Sequence, residues 1–163
     1  MSDSQGKSNG SYEISDVRGV LDRIGVCPEK SMGQNFLTDS SVAESIVMAL
    51  DAGREDVVVE IGPGLGALTK HLAGKVKRLI LVEFDPKLAA FLRDYYKGNE
   101  AVVIFHADAT KFDLRPLFQY GPIKLIGNLP YSCAAEIMRR FLDPPTPVVK
   151  AVLMLQKEVA ARL

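Results

Sequence analysis

The sequence lacks tryptophan, holds two cysteines, and carries no net charge, with 20 Lys and Arg balancing 20 Asp and Glu over 163 residues. Cys27 and Cys133 stand far apart without a His/Cys cluster around them, so neither a disulfide framework nor a zinc site is encoded. Both thiols read as inert small residues. Charges interrupt every hydrophobic stretch before it reaches the ~18 to 20 residues of a membrane-spanning helix, which excludes a transmembrane protein. Residues 1–15 are rich in Ser, Gly, Asp and Asn and have no apolar core of a secretory signal. They read as a flexible tail on a cytoplasmic protein, with residues 16–163 forming a single domain. The absence of net charge speaks against a nucleic-acid partner, because phosphate binding leaves a basic footprint. That sum hides a gradient: residues 121–163 carry six basic side chains (Lys124, Arg139, Arg140, Lys150, Lys157, Arg162) against three acidic ones (Glu136, Asp143, Glu158), leaving 14 and 17 for the first 120.

What is present is a repeating strand-then-helix pattern. Val57 to Ile61, Leu79 to Glu83, Val102 to His106, Ile123 to Gly127 and Val149 to Leu155 are short apolar runs rich in β-branched residues. Runs of this kind suit a parallel sheet covered by helices on both faces. Between them, Asp85 caps a helix whose first residue is Pro86 and which Gly98 closes. Ser41 and Glu44 suggest a capping box for a helix to Leu50 with Val42, Ile46 and Leu50 on one face. A third helix is expected after Gly66, and a fourth from Ala134 to Leu142, ended by Pro144-Pro145. The alternation predicts a doubly wound, mostly parallel α/β sheet. Gln156 to Leu163 opens another helical pattern and stops without a cap, which reads as the N-terminal part of a longer protein.

The chemistry concentrates at the carboxyl ends of the expected strands. Glu60-Ile61-Gly62-Pro63-Gly64-Leu65-Gly66-Ala67 follows the first strand and opens a helix, and its glycines allow a sharp turn and a close backbone approach to a ligand. The string satisfies both GxGxG and GxGxxA, so it does not distinguish a nicotinamide dinucleotide from another adenosine-containing cofactor. Glu83 follows Gly62 by 21 residues, where a carboxylate takes both ribose hydroxyls. Asp108, just beyond the third strand, is placed either to accept from an adenine amino group or to cap a turn. Asn128-Leu129-Pro130-Tyr131 ends the fourth strand with an excess of acceptors, since proline has no N–H, and with an aromatic face. Such a site suits a planar base bearing an exocyclic amine. His71 and His106 read as surface or strand-end histidines, and Arg139-Arg140 as either a solvated face or part of an RNA contact.

Ser31-Met32-Gly33-Gln34-Asn35-Phe36-Leu37, Glu60 to Gly66, Val82-Glu83-Phe84-Asp85, Asp108-Ala109, Gly127 to Tyr131 and Leu155 to Arg162 together resemble, in order and spacing, the ribosomal RNA adenine dimethyltransferases. Leu129 and Pro63 incline the likeness toward the bacterial small-subunit branch and away from the macrolide-resistance methylases of large-subunit rRNA. The resemblance implies a Rossmann-like class I fold that binds S-adenosyl-L-methionine. It places Gln34, Asn35 and Leu37 along the methionine end of the cofactor, Gly62 and Gly64 beneath it, Glu83 on the ribose, and Asp108 with Ala109 at the adenine. Asn128 would sit between cofactor and target base, with Leu129 and Pro130 offering carbonyls and Tyr131 stacking the target adenine. No metal is implied.

The implied activity is dimethylation of the exocyclic amino groups of adjacent adenosines in small-subunit rRNA during ribosome biogenesis. The implied partner is the rRNA of the immature small subunit, met by a monomer without a membrane. Family members continue with further strands and a small helical domain, so this chain is expected to hold the cofactor pocket and lack part of the RNA-binding surface. Three other readings stay open: a large-subunit rRNA adenine methylase of the macrolide-resistance type, a non-catalytic RNA-binding assembly factor on the same fold, and a nicotinamide-dependent oxidoreductase, supported by the glycine loop and Glu83.

Overall fold

The computed structural model describes residues 17–27 and 36–155. The five apolar runs become β1 (Val57–Ile61), β2 (Arg78–Glu83), β3 (Val102–His106), β4 (Ile123–Asn128) and β5 (Val148–Met154). All neighbours pair in parallel, in the order β3-β2-β1-β4-β5. All five residues of the central β1 are buried, as a strand covered on both faces requires. The helices are α1 (Val17–Ile24), α2 (Ser40–Leu50), α3 (Thr69–Leu72), α4 (Pro86–Tyr95) and α5 (Ala134–Leu142), with 3₁₀ turns at Ala109–Lys111 and Arg115–Tyr120.

Strand periodicity sorts the core into two layers. Val57, Val59 and Ile61 pack with Leu114, Leu117 and, from α5, Ala134, Ile137 and Phe141. Val58, with Leu79 and Leu81, faces Ala43, Ile46 and Leu50 of α2, Leu72 of α3 and Leu92 of α4. The alternation that buries Val58 therefore turns Glu60 toward the α3 side of the sheet. A smaller cluster seats Val20 and Leu21 of α1 on Leu65 and Leu88.

Asp85 caps α4 as expected, its Oδ1 accepting from the N–H groups of Lys87 at 2.7 Å and Leu88 at 3.2 Å. The α2 terminus differs from expectation. Asp39, not Ser41, is the cap, and its Oδ1 accepts from Ser41 N–H at 2.9 Å and Val42 N–H at 3.3 Å. An extended backbone at Asp39, φ −83° and ψ 111°, swings its carboxylate under the first turn. The buried stripe of α2 is Ala43, Ile46 and Leu50, while Val42 is exposed; both stripes fit helical spacing, and the surface opposite decides between them. Helix α1 carries no strong signal, being short and interrupted by Gly19, and it forms because the α4 face is there to receive it. The tail, residues 31–35 of the first motif and the helical pattern at 156–163 lie outside the described residues.

Candidate active site

Strand order places β1 and β4 side by side where the chain reverses its direction of winding, and a cleft opens at their carboxyl ends, as it does in open α/β sheets generally. The cleft has a volume of about 530 Å³, within the usual range for small-molecule sites.

Its floor is the turn after β1. Gly62 and Gly64 adopt φ of +63° and +59°, left-handed values that glycine takes without strain. Gly62 N–H donates to the Val82 carbonyl at 2.9 Å, tying the turn to β2. A Cβ on Gly64 would stand 3.2 Å from the Phe36 ring, so that aromatic side chain and the bare turn pack as a pair. Phe36 and Leu37, the described part of the first motif, both line the cleft. Gln34 and Asn35 lie outside the described residues.

Glu83 ends β2 at the cleft wall and is 5% exposed. Its Oε2 accepts from Gly64 N–H at 3.0 Å and its Oε1 from Asp85 N–H at 2.9 Å. Burial holds the carboxyl above its ordinary range, partly opposed by these two backbone donors. Each oxygen keeps acceptor capacity for a hydroxyl.

A second buried acid lies beside it. Glu60 is 1% exposed, lines the cleft, and its Oε2 accepts from the Thr69 hydroxyl at 2.8 Å. Burial, reinforced by the charge of Glu83, pushes it up to about 8. Its sequence signal is an acid interrupting the apolar run Val57-Val58-Val59-Glu60-Ile61, and no role follows from the glycine pattern alone.

Asp108 takes the cap reading and also faces the cleft. It caps the 3₁₀ turn at Ala109–Lys111, its Oδ1 accepting from the Thr110 N–H at 2.9 Å and hydroxyl at 2.6 Å. The Thr110 contacts hold the carboxyl below its ordinary value. Oδ2 lies 3.8 Å from the Lys111 ammonium, and both Asp108 and Ala109 line the cleft.

Across from the glycine turn, β4 delivers Asn128 and Pro130 to the cleft wall. Gly127 is required there for a reason unrelated to φ: a Cβ would meet the Ile61 carbonyl oxygen of the neighbouring strand at 2.7 Å. The Pro130 carbonyl accepts from Ala134 N–H at 3.1 Å and from Cys133 N–H at 3.4 Å in the turn that leads into α5, which uses both of its lone pairs. Among the described residues no donor reaches the Leu129 carbonyl, although the Leu129 side chain is 2% exposed and belongs to the core. Tyr131 is 44% exposed and stands outside the cleft wall. Ser132, Cys133, Glu136 and Ile137, none of them prominent in the sequence, extend the wall along α5. Among the described residues no three His, Cys, Asp or Glu side chains are grouped to hold a metal ion, and no helix is long and apolar enough to cross a membrane.

The family model described as ribosomal RNA adenine dimethylase matches residues 28–163. The chain belongs to this family. Among curated dimethylase relatives, a ribosomal RNA small subunit methyltransferase A from Ligilactobacillus salivarius is 40% identical over 152 residues, covering 90% of this chain and 51% of that protein. One of the same description from Geobacter sulfurreducens is 44% identical over 142 residues, covering 85% and 51%. The chain thus spans about half the length of the curated relatives it matches. Among solved structures, the 23S rRNA methyltransferase ErmE aligns with TM-score 0.69 and 30% identity over 77% of this chain and 50% of that one. A dimethyladenosine transferase from Plasmodium falciparum aligns with TM-score 0.67 and 27% identity over 78% and 46%. The dimethylase resemblance carried by the sequence motifs is borne out, and so is the Rossmann-like methyltransferase fold. Of the described candidate site residues, Leu37, Gly62, Gly64, Glu83, Asp108, Ala109, Asn128 and Pro130 line one continuous cleft, while Leu129 and Tyr131 do not.

Proposed function

We propose that the full protein is an S-adenosyl-L-methionine-dependent methyltransferase that dimethylates adenosine amino groups in small-subunit rRNA, acting as a monomer on the immature subunit in the cytoplasm. The observation that carries this reading is the contact of two loops: a Cβ on Gly62 would lie 3.7 Å from the Asn128 carbonyl oxygen, so the cofactor turn and the acceptor-rich motif adjoin. The cleft fits the cofactor. It pairs a bare glycine turn with a buried carboxylate for ribose hydroxyls and a carboxylate oxygen at the adenine end. Phe36 and Leu37 close the side nearest the methionine end, with Gln34 and Asn35 assigned there by their place in the motif.

The cofactor supplies an electrophilic methyl group on a sulfonium sulfur. The protein's tasks are to hold the target amine in line and to favour the positive charge that develops on nitrogen. Asn128 and the Leu129 carbonyl are the acceptors for the two amine hydrogens, since the Pro130 carbonyl is committed to α5. Transfer would form the N–C bond as the S–C bond breaks with release of S-adenosylhomocysteine, and the resulting ammonium would lose its proton to water, so the chain need supply no general base. Tyr131, whose ring is exposed, would stack an adenine drawn out of its RNA stack.

The test is methyl transfer from labelled cofactor to immature small-subunit particles and, in a separate reaction, to large-subunit rRNA, mapped by nucleotide, with this chain and the full-length protein in parallel. Label on adjacent adenosines of small-subunit rRNA supports the reading. Label confined to large-subunit rRNA, or none from the full-length protein, overturns it.

A further inference from the structure

Arg140 lies on the exposed side of α5, where an arginine is ordinarily solvated. Here its Nε donates to the Thr110 carbonyl at 3.1 Å, across 30 residues of sequence. Thr110 is the residue whose N–H and hydroxyl both bind Asp108 Oδ1. One carboxylate oxygen of Asp108 is thus fixed by Thr110, and Thr110 is fixed by Arg140. The far end of the same turn is held to the same helix by Phe112, whose ring stacks on the buried Phe141 with centroids 6.0 Å apart and planes 15° apart. A short turn closed by the Pro130 carbonyl joins the acceptor motif at the end of β4 to α5, the helix that carries the clamp on the Asp108 turn.

We propose that Arg140 is a positioning residue for cofactor recognition: by holding the Thr110 carbonyl it keeps the second carboxylate oxygen of Asp108 aimed at the 6-amino group of the cofactor's adenine. This rests on the assignment of Asp108 to adenine. The bond is charge-assisted and within normal length, and it acts on the turn that carries Asp108.

The experiment is calorimetric binding of S-adenosylhomocysteine and S-inosylhomocysteine, which differ at the 6-position, to the full-length protein and its variants. Asp108→Ala is expected to abolish the preference for the adenosyl compound. Arg140→Ala is expected to reduce that preference by about threefold to tenfold while leaving affinity for the inosyl compound unchanged. Arg140→Gln places an N–H donor at the same bond count from Cα as the arginine Nε and is expected to keep most of the preference. Combining Asp108→Ala with Arg140→Ala should add nothing to Asp108→Ala alone. An unchanged preference in Arg140→Ala, an equal loss for both ligands, or Arg140→Gln behaving as Arg140→Ala would each overturn the role of Arg140. A preference that survives Asp108→Ala would instead overturn the adenine assignment on which it rests.

Discussion

Glu83 Oε2 accepts the Gly64 N–H at 3.0 Å, so the acid that ends β2 and the turn that follows β1 form one hydrogen-bonded unit. The Glu83 carboxylate and the glycine floor of the cleft cannot move independently. A ligand that draws on Glu83 therefore meets a carboxylate already oriented by two backbone donors, and little ordering is left to occur on binding.

Glu83→Ala and Glu83→Gln should both weaken S-adenosylhomocysteine binding by about tenfold or more, since hydrogen bonds to an ionised acceptor are worth about 1.5–3 kcal/mol. The glutamine variant keeps one oxygen but presents its amide N–H₂ to either Gly64 N–H or Asp85 N–H. Calorimetric affinity equal to the parent's in both variants would remove Glu83 from the cofactor site.

The second buried acid sets a pH dependence of stability. Glu60 titrates at about 8 in the folded chain against 4.5 for an ordinary glutamate. Between those values the folded state binds one more proton than the unfolded state, so stability falls as pH rises, and the contribution of Glu60 is whole only below the lower value. Glu60→Gln removes this titration while keeping an oxygen for the Thr69 hydroxyl. Relative to the parent, the variant should gain stability between about pH 5 and about pH 8, by up to about 4 kcal/mol. Urea midpoints at the two pH values measure it, and parallel behaviour of the two proteins would show that another group titrates.

Gly127→Ala should destabilise the fold by about 2 kcal/mol or more, because its Cβ would meet the Ile61 carbonyl oxygen, a backbone atom that cannot rotate away. Gly74→Ala is the control: no atom lies within 4 Å of a Cβ there, and its φ of +80° makes any cost one of backbone strain alone. Thermal unfolding of the two variants separates collision from strain, and a Gly127→Ala protein as stable as its parent would contradict the β1–β4 spacing.

Asn128→Ala, made in the full-length protein, should abolish methyl transfer while leaving the fold and most of the cofactor affinity in place. A single-turnover assay with immature small subunits checks this alongside the binding measurement. Near-normal turnover would show that the Asn128 side chain is not an acceptor for the target amine.

Much of this was legible from local pattern. Strand positions follow from short apolar runs rich in β-branched residues, and the α4 terminus from Asp85-Pro86, because these depend on neighbours in sequence. The glycine turn was legible for the same reason, since positive φ is a property of single residues. The α2 cap was not, because Asp39 and Ser41 are both good cap residues and the packing of Ala43, Ile46 and Leu50 selects the helix rotation. Glu60 was invisible as a functional group because its burial and its bond to Thr69 arise only when α3 folds back over β1.

The sequence alone therefore determined the class of the sheet, the order of its strands' carboxyl-end motifs and the family to which the chain belongs. Tertiary structure decided which polar atoms remain for chemistry: the Pro130 carbonyl is taken by α5, Glu83 is bound to Gly64, and Arg140 reaches Thr110. Periodicity and backbone sterics act over a few residues and leave a mark in the string. Hydrogen-bond partnership depends on distances between residues that only the packed sheet brings together.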